Sequence, residues 1–343
     1  MKRSLLILFG CALAAAVSCS KTDTPAEPSA EKIRLVVDVT GSGAPETRVT
    51  GVTSNSTSSE AKVNSLQILV FNGDLLDGYG SSTGSLTATA SCTAGTRDIY
   101  AVVNAPSLAS VSTKTALLQT VSSLANEISN FQMIGSKSET LKKDGNVTIA
   151  VDRFAARVVL KGIKNALTNA AQASSFKVLS VYLTNVAGDV DYAKSSSYTV
   201  SKWYNKRGYQ AANNLGSFTY DAVNKTIASG ASNTDAHYFY TMPNANAGAI
   251  GGPWTPRAAR LVIKAEIAGA VYDYPILLPA LESNKSYEIS LVTITRAGNP
   301  DDGNEPDSDE DTDEEKPVVG FDQGFQITVN PWTVVTVTEG TTI

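Results

Sequence analysis

Short runs in which apolar and polar residues alternate, each bounded by turn-forming residues, recur along this chain and constrain its fold more than any other feature. Ile33, Leu35, Val37 and Val39 alternate with Arg34, Val36 and Asp38. A period of two puts every second side chain on one face, so residues 33–40 predict a strand with one buried side. Residues 63–71, 85–92, 99–104, 147–151 and 156–163 read as further strands, and Asn72-Gly73 is a strong turn signal. The style repeats over 176–184, 238–242, 260–267, 271–278, 286–295 and 325–337, with Ala268-Gly269-Ala270 as a hairpin connection. Leu117, Val121, Leu124 and Ile128 fall at helical spacing and predict a helix between residues 108 and 130. Many short strands without alternating helices argue for β-sandwiches and against a parallel α/β sheet. The expected architecture is mainly β, with two sandwiches in tandem, one or two short helices, and a boundary near Asp152.

The front of the chain carries an export signal. Lys2 and Arg3 precede an apolar stretch at residues 5–17 that is too short and too Ala-rich for a permanent membrane span. Ala16-Val17-Ser18-Cys19 places a small residue directly before a cysteine, the pattern of bacterial lipoprotein signals. In such signals the thiol, here that of Cys19, takes a diacylglyceryl group before the signal is removed. An ordinary secretory signal beside a bystander cysteine is the alternative; the Ser/Lys/Thr/Pro-rich stretch at 20–30 favours a lipidated tether. Without the signal, roughly 320 residues remain, enough for two domains with cores of their own. Cys11 leaves with the signal and Cys19 is acylated, so Cys92 stands alone and can form no internal disulfide.

The net charge of −5 is uneven, because residues 301–315 carry ten acidic side chains and no basic one. The remainder is mildly basic without a basic stripe, which argues against nucleic acid as a partner. The acidic run at 299–316 has almost no apolar residues and reads as a solvated, self-repelling loop. Asp307, Asp309, Asp311 and Asp313 alternate as in a calcium loop, but the turn glycine and the correctly spaced closing Glu are missing.

Catalytic signals are weak. His237 is the one histidine and lies in an alternating, strand-like run. Gly80-Ser81-Ser82-Thr83-Gly84 matches G-x-S-x-G, yet that motif needs a following helix and here precedes alternating Leu86-Thr87-Ala88-Thr89-Ala90. Trp203-Tyr204-Asn205-Lys206-Arg207-Gly208-Tyr209 interleaves aromatics with cations; it reads as a loop covering the core edge, with a sugar- or partner-binding surface as the alternative. No metal-ligand spacing and no cofactor fingerprint is present, and no enzymatic activity is expected.

Several stretches, in order, resemble the major fimbrial subunit (FimA-type) family, the pilins of type V pili. They are Cys19 with Glu46-Thr47-Arg48-Val49-Thr50, then Leu66-Gln67-Ile68-Leu69-Val70-Phe71 and Tyr100-Ala101-Val102-Val103-Asn104-Ala105-Pro106. Val151-Asp152-Arg153-Phe154-Ala155-Ala156-Arg157-Val158, Asn284-Lys285-Ser286-Tyr287-Glu288-Ile289 and Val329-Asn330-Pro331-Trp332-Thr333 follow. The resemblance implies two transthyretin-like, Greek-key β-sandwich domains. The chain then divides into a signal peptide (1–18), a lipidated propeptide (19–48), an N-terminal domain (49–152) and a C-terminal domain (153–343) with an acidic loop (299–316) and a tail (325–343). It also implies an outer-membrane lipoprotein precursor that an Arg-specific surface protease cuts between Arg48 and Val49. The cut removes the strand bearing Ile33, Leu35, Val37 and Val39. A neighbouring copy, or a related subunit, then fills the groove with its tail, whose apolar residues include Phe325, Ile327, Val329, Trp332, Val334, Val335 and Val337. The expected product is an extracellular fimbrium supporting adhesion to a host or bacterial surface ligand. The alternative is a non-polymerising, lipid-anchored adhesin or a minor tip or anchor subunit.

Overall fold

The structure is a computed structural model that describes residues 31–41, 60, 62–127, 130–248, 252–301, 315–316, 318 and 327–331. From Lys32 on, these belong to one unit. The chain begins with β1 (Lys32–Gly41), β2 (Ser65–Asn72), β3 (Leu75–Thr83), β4 (Thr87–Thr93) and β5 (Gly95–Val103). Helix α1 (Lys114–Leu118) precedes β6 (Val121–Ser123), β7 (Met133–Leu141), β8 (Gly145–Arg153), β9 (Ala156–Leu160) and β10 (Ile163–Asn165). Helix α2 (Ala170–Ser175) leads to β11 (Lys177–Thr184), β12 (Val186–Ala187), β13 (Asp189–Asp191), β14 (Trp203–Tyr204) and β15 (Tyr220–Thr226). Next are β16 (Ser232–Asn233), β17 (His237–Thr241), β18 (Arg260–Ile267) and β19 (Ala270–Leu277). The last are β20 (Lys285–Ile289), β21 (Val292–Ile294), β22 (Asn299–Pro300) and β23 (Ile327–Pro331). The protein is mainly β, in the β-sandwich class, as the alternating runs predict.

A seven-stranded sheet has the order β3-β2-β5-β7-β8-β1-β4, with β1–β8 its one parallel pair. Leu35, Ile68, Ala101 and Ile149 share the hydrophobic cluster on its inner face. The two ends of the order meet: a Cβ on Gly80 would lie 2.0 Å from the Thr89 carbonyl oxygen, and one on Gly78 2.5 Å from that of Ser91. Only glycine lets β3 cross β4 so closely. This is also what Gly80 does within the G-x-S-x-G match, which therefore ends a strand and forms no nucleophile elbow.

Strand β2 is buried on both faces. Leu66, Ile68 and Val70 face the inner cluster, whereas Leu69 and Phe71 join a second one with Leu117, Leu124 and Phe131. That second cluster continues through the five-stranded sheet β15-β11-β18-β19-β22 and the four-stranded sheet β17-β9-β20-β23. The β18–β19 hairpin turns at Ala268 (φ 51°) and Gly269 (φ 83°), as expected for a two-residue connection whose central residues have positive φ.

Strands β3 and β7 were not expected, the expected strands 156–163 and 286–295 each divide between two sheets, and the expected helix differs most. The helix predicted between 108 and 130 is only one turn, α1, capped by Thr113, whose Oγ1 accepts from Ala116 N–H at 3.1 Å. Thr120, Val121, Ser122 and Ser123 then favour extended chain, being β-branched or able to compete for backbone hydrogen bonds, and β6 pairs with β13 instead. Leu117 and Leu124 are buried as the spacing implied; Val121 is exposed, and Ile128 lies outside the described residues.

Candidate strand-exchange site

Strand β1 occupies a slot between two strands. It runs antiparallel to β4 from Lys32↔Thr93 to Asp38↔Thr87, and parallel to β8 from Leu35↔Gly145 to Gly41↔Val151. Ile33, Leu35, Val37 and Val39 all point into the inner cluster, and Leu35 and Val37 are completely buried. On the outer face, Asp38 accepts from Thr87 Oγ1 on β4 at 2.5 Å and from Asn146 Nδ2 on β8 at 2.8 Å. These hydrogen bonds to Thr87 and Asn146 lower the pKa of Asp38 below its ordinary value.

The neighbours depend on β1. Among the described residues, β4 has no ladder partner except β1. Strand β8 pairs with β7 only at Met133↔Arg153 and Ile134↔Asp152, so its first seven residues are held by β1. Cys92, the partner of Ile33 in register, is completely buried, and desolvation pushes its thiol pKa up. Without β1, a slot lined by Ala88, Ala90, Val147 and Ile149 would face solvent between two open strand edges.

A buried polar clasp is built around Glu60. The Glu60 carboxylate accepts from Arg157 Nη1 at 3.0 Å and Tyr240 Oη at 2.5 Å, and its carbonyl oxygen accepts from Arg153 Nε at 3.0 Å. Arg157 Nε also donates to Ser286 Oγ on β20 at 3.0 Å. All five side chains are buried, and the charges among them, removed from water, are paired and hydrogen-bonded as burial requires. Burial lowers the pKa of Arg153, and Glu60 opposes that shift. Asn284, in the left-handed region at φ 58°, donates Nδ2 to Asp152 Oδ1 at 2.8 Å, and its backbone N–H reaches the Ala155 carbonyl at 2.9 Å. Three residues on, Tyr287 Oη donates to the Ala280 carbonyl at 2.9 Å. The Asp152–Arg157 and Asn284–Tyr287 stretches that carry the resemblance thus meet at one junction.

Of the other expected sites, Cys19, Arg48 and Val49 lie outside the described residues, as do Phe325, Trp332, Val334, Val335 and Val337. Ile327 and Val329 lie on β23, which pairs antiparallel with β20 along five residues. Most of the acidic run is also outside the described residues, but its ends are anchored. Strand β22 pairs with β19, and Lys264 Nζ donates to Asp301 at 2.8 Å. Glu315 is buried, its two carboxylate oxygens accepting from Arg257 Nη1 at 3.1 and 2.9 Å. His237 Nδ1 sits 2.8 Å from Asp221 inside the strand it was expected to occupy. Trp203 and Tyr204 form β14 and are buried, with Trp203 edge-on to Trp254 at 5.5 Å. Sequence reading missed Glu60 altogether. The charges of Arg153 and Arg157 inside a run of apolar residues were the visible sign that a buried counter-charge was needed.

Residues 32–185 match the family described as major fimbrial subunit protein (FimA). Over that stretch the chain resembles the FimA family. The match begins at the first residue of β1 and ends just after β11. A fimbrilin (FimA) of Porphyromonas gingivalis W83 superposes with a TM-score of 0.58 at 17% identity, covering 88% of this chain and 98% of that one. A candidate cell adhesion protein of Bacteroides eggerthii superposes with a TM-score of 0.64 at 22% identity, covering 89% and 97%. At these identities the superpositions establish a shared fold. No curated protein matches the sequence. The match to the FimA family supports a fimbrial structural or adhesion role at the cell surface.

Proposed function

We propose that this chain is a shaft subunit of a type V fimbrium that polymerises by strand exchange. It leaves the cell as a precursor held in the outer membrane through lipid on Cys19. An Arg-specific surface protease then cuts Arg48–Val49 and frees β1. The observation that carries this reading is that, among the described residues, β1 is the sole ladder partner of β4 and the main one of β8. Its departure leaves two unpaired edges over an apolar slot, which another extended segment fills by main-chain pairing and alternate side chains. Because β23 pairs within its own sheet, we take the donor as residues 332–343 of the tail 325–343, with Trp332, Val334, Val335, Val337 and Ile343 as its large apolar residues. A tail entering a different site on the next subunit is a heterologous contact that does not close, so it builds a filament. The same reading divides the chain at 152/153, supported by an inner cluster whose members all lie at or before Val151.

The test is the N-terminus of protein recovered from filaments. It is expected to be Val49, and Arg48→Ala is expected to leave intact precursor on cells and no filaments. Filaments built from subunits that still carry residues 20–48 would overturn the reading; a lipid-retaining, monomeric population alone would favour the anchored adhesin.

A further inference from the structure

A pocket of about 320 Å³ opens between the segment 189–200 and the segment 243–246, away from the β1 slot. Its size falls near the lower end of the range for small-molecule sites, about 300–1,000 Å³. Val190, Val200 and Pro243 supply apolar walls, and the half-buried ring of Tyr198 stands beside them. An aromatic face next to aliphatic carbon suits a ligand with its own C–H face.

The polar groups are of two kinds. The first kind is built in. Asp189, 5% exposed, accepts from Ser201 N–H at 2.9 Å, from Ser201 Oγ and from the Tyr198 hydroxyl. Asn244, 2% exposed, donates Nδ2 to the Arg257 carbonyl at 2.9 Å and the Asn185 carbonyl at 3.3 Å. The second kind is presented outward. Asn246 is fixed by its N–H at 3.1 Å and its Nδ2 at 2.9 Å, both donating to Asn244 Oδ1. Its own Oδ1 and the Ser196 hydroxyl, both on exposed residues, have no protein partner among the described residues. The inner amide and carboxylate therefore hold the outer amide and the ring in place.

Charge then selects the ligand class. No Lys, Arg or His lines the pocket, so an anionic ligand finds no counter-charge. The one carboxylate is turned onto its own three donors, so a cation finds no free acceptor of full charge. A neutral molecule remains that offers hydroxyl groups to Asn246 and Ser196 and a C–H face to Tyr198. We propose that this pocket binds a neutral glycan through a single pyranoside unit. Such binding requires neither cleavage nor assembly, so it stands or falls independently of strand exchange.

The experiment uses the uncleaved full chain on an array of neutral, sialylated and sulfated oligosaccharides, followed by calorimetry with the strongest neutral binder. Neutral glycans are expected to bind, with Asn246→Ala and Tyr198→Ala each weakening affinity by roughly tenfold and Tyr198→Phe by less. Thermal melting checks that the variants fold; Asn246 is exposed, so its truncation is expected to leave the fold intact. The proposal is overturned by an array without neutral binders, by preference for acidic glycans, or by neutral binding indifferent to both Asn246→Ala and Tyr198→Ala.

Discussion

Glu127 is completely buried, with one carboxylate oxygen accepting from Ser122 Oγ at 3.1 Å, and desolvation pushes its pKa up from 4.5 to about 8. The folded protein keeps this proton to about pH 8, while the unfolded chain releases it near 4.5. In that window the unfolded state binds fewer protons, so the Glu127 contribution falls as pH rises and is fully favourable only below the window. Lys194, lowered to about 8 by burial, acts above it. Glu127→Gln is therefore expected to stabilise the protein at pH 7 by up to about 3 kcal/mol and to gain almost nothing at pH 4. Urea midpoints at the two pH values check this; an equal effect at both would show that Glu127 does not titrate so. Glu60 makes the opposite case, because removing it strands buried guanidinium charge. Glu60→Ala is expected to cost about 3–5 kcal/mol, against well under 1 kcal/mol for Glu139→Ala in the exposed pair with Lys137 at 3.0 Å. Equal shifts in urea midpoint would refute that ranking. Glu60 was illegible in the sequence because it sits among Ser, Thr and Asn without a period, and only the distant strands β9 and β17 determine its burial.

At the scale of elements, alternation made β1 legible to within a residue or two, since Leu35 and Val37 each have to face a core whichever sheet they join. The partners of β1 were not legible. A parallel neighbour more than a hundred residues away leaves no local trace, and neither does the closing of β3 onto β4. The predicted helix failed where four β-branched or hydroxyl side chains gained more from pairing with β13 than from helical hydrogen bonds. The β1 slot yields a discriminating substitution. Leu35→Ala empties a fully buried position and is expected to destabilise the uncleaved chain by about 2–5 kcal/mol in urea unfolding. Filaments grown from the same variant after cleavage are expected to resist denaturant as well as wild-type filaments, because β1 has left them. Weakened filaments would mean that β1 stays in the assembled subunit.

At the scale of the whole molecule, the proposed joint links the two ends of the chain. Strand β23 ends at Pro331, which offers no backbone donor, and the twelve residues after it include five large apolar side chains, Trp332, Val334, Val335, Val337 and Ile343. Trp332 and Val334 lie on one face of an extended strand and Val335 and Val337 on the other, so the pair that enters a neighbour's slot contributes about 1.5–3 kcal/mol per side chain, in addition to the main-chain pairing. Cys92 reports on the slot, since it lies opposite Ile33 and would be the one thiol left after cleavage. A thiol reagent is expected to spare it in the precursor, label it after the Arg48–Val49 cut, and spare it again in filaments. Deleting residues 332–343 is expected to leave a folded subunit that is cut normally, keeps Cys92 reactive indefinitely, and forms no filaments by electron microscopy. Adding the peptide 332–343 in excess should then protect Cys92 without producing polymer, because the peptide fills the slot but offers none of its own. Polymerisation of the truncated chain, or a Cys92 that stays unreactive after the cut, would remove the tail from the joint.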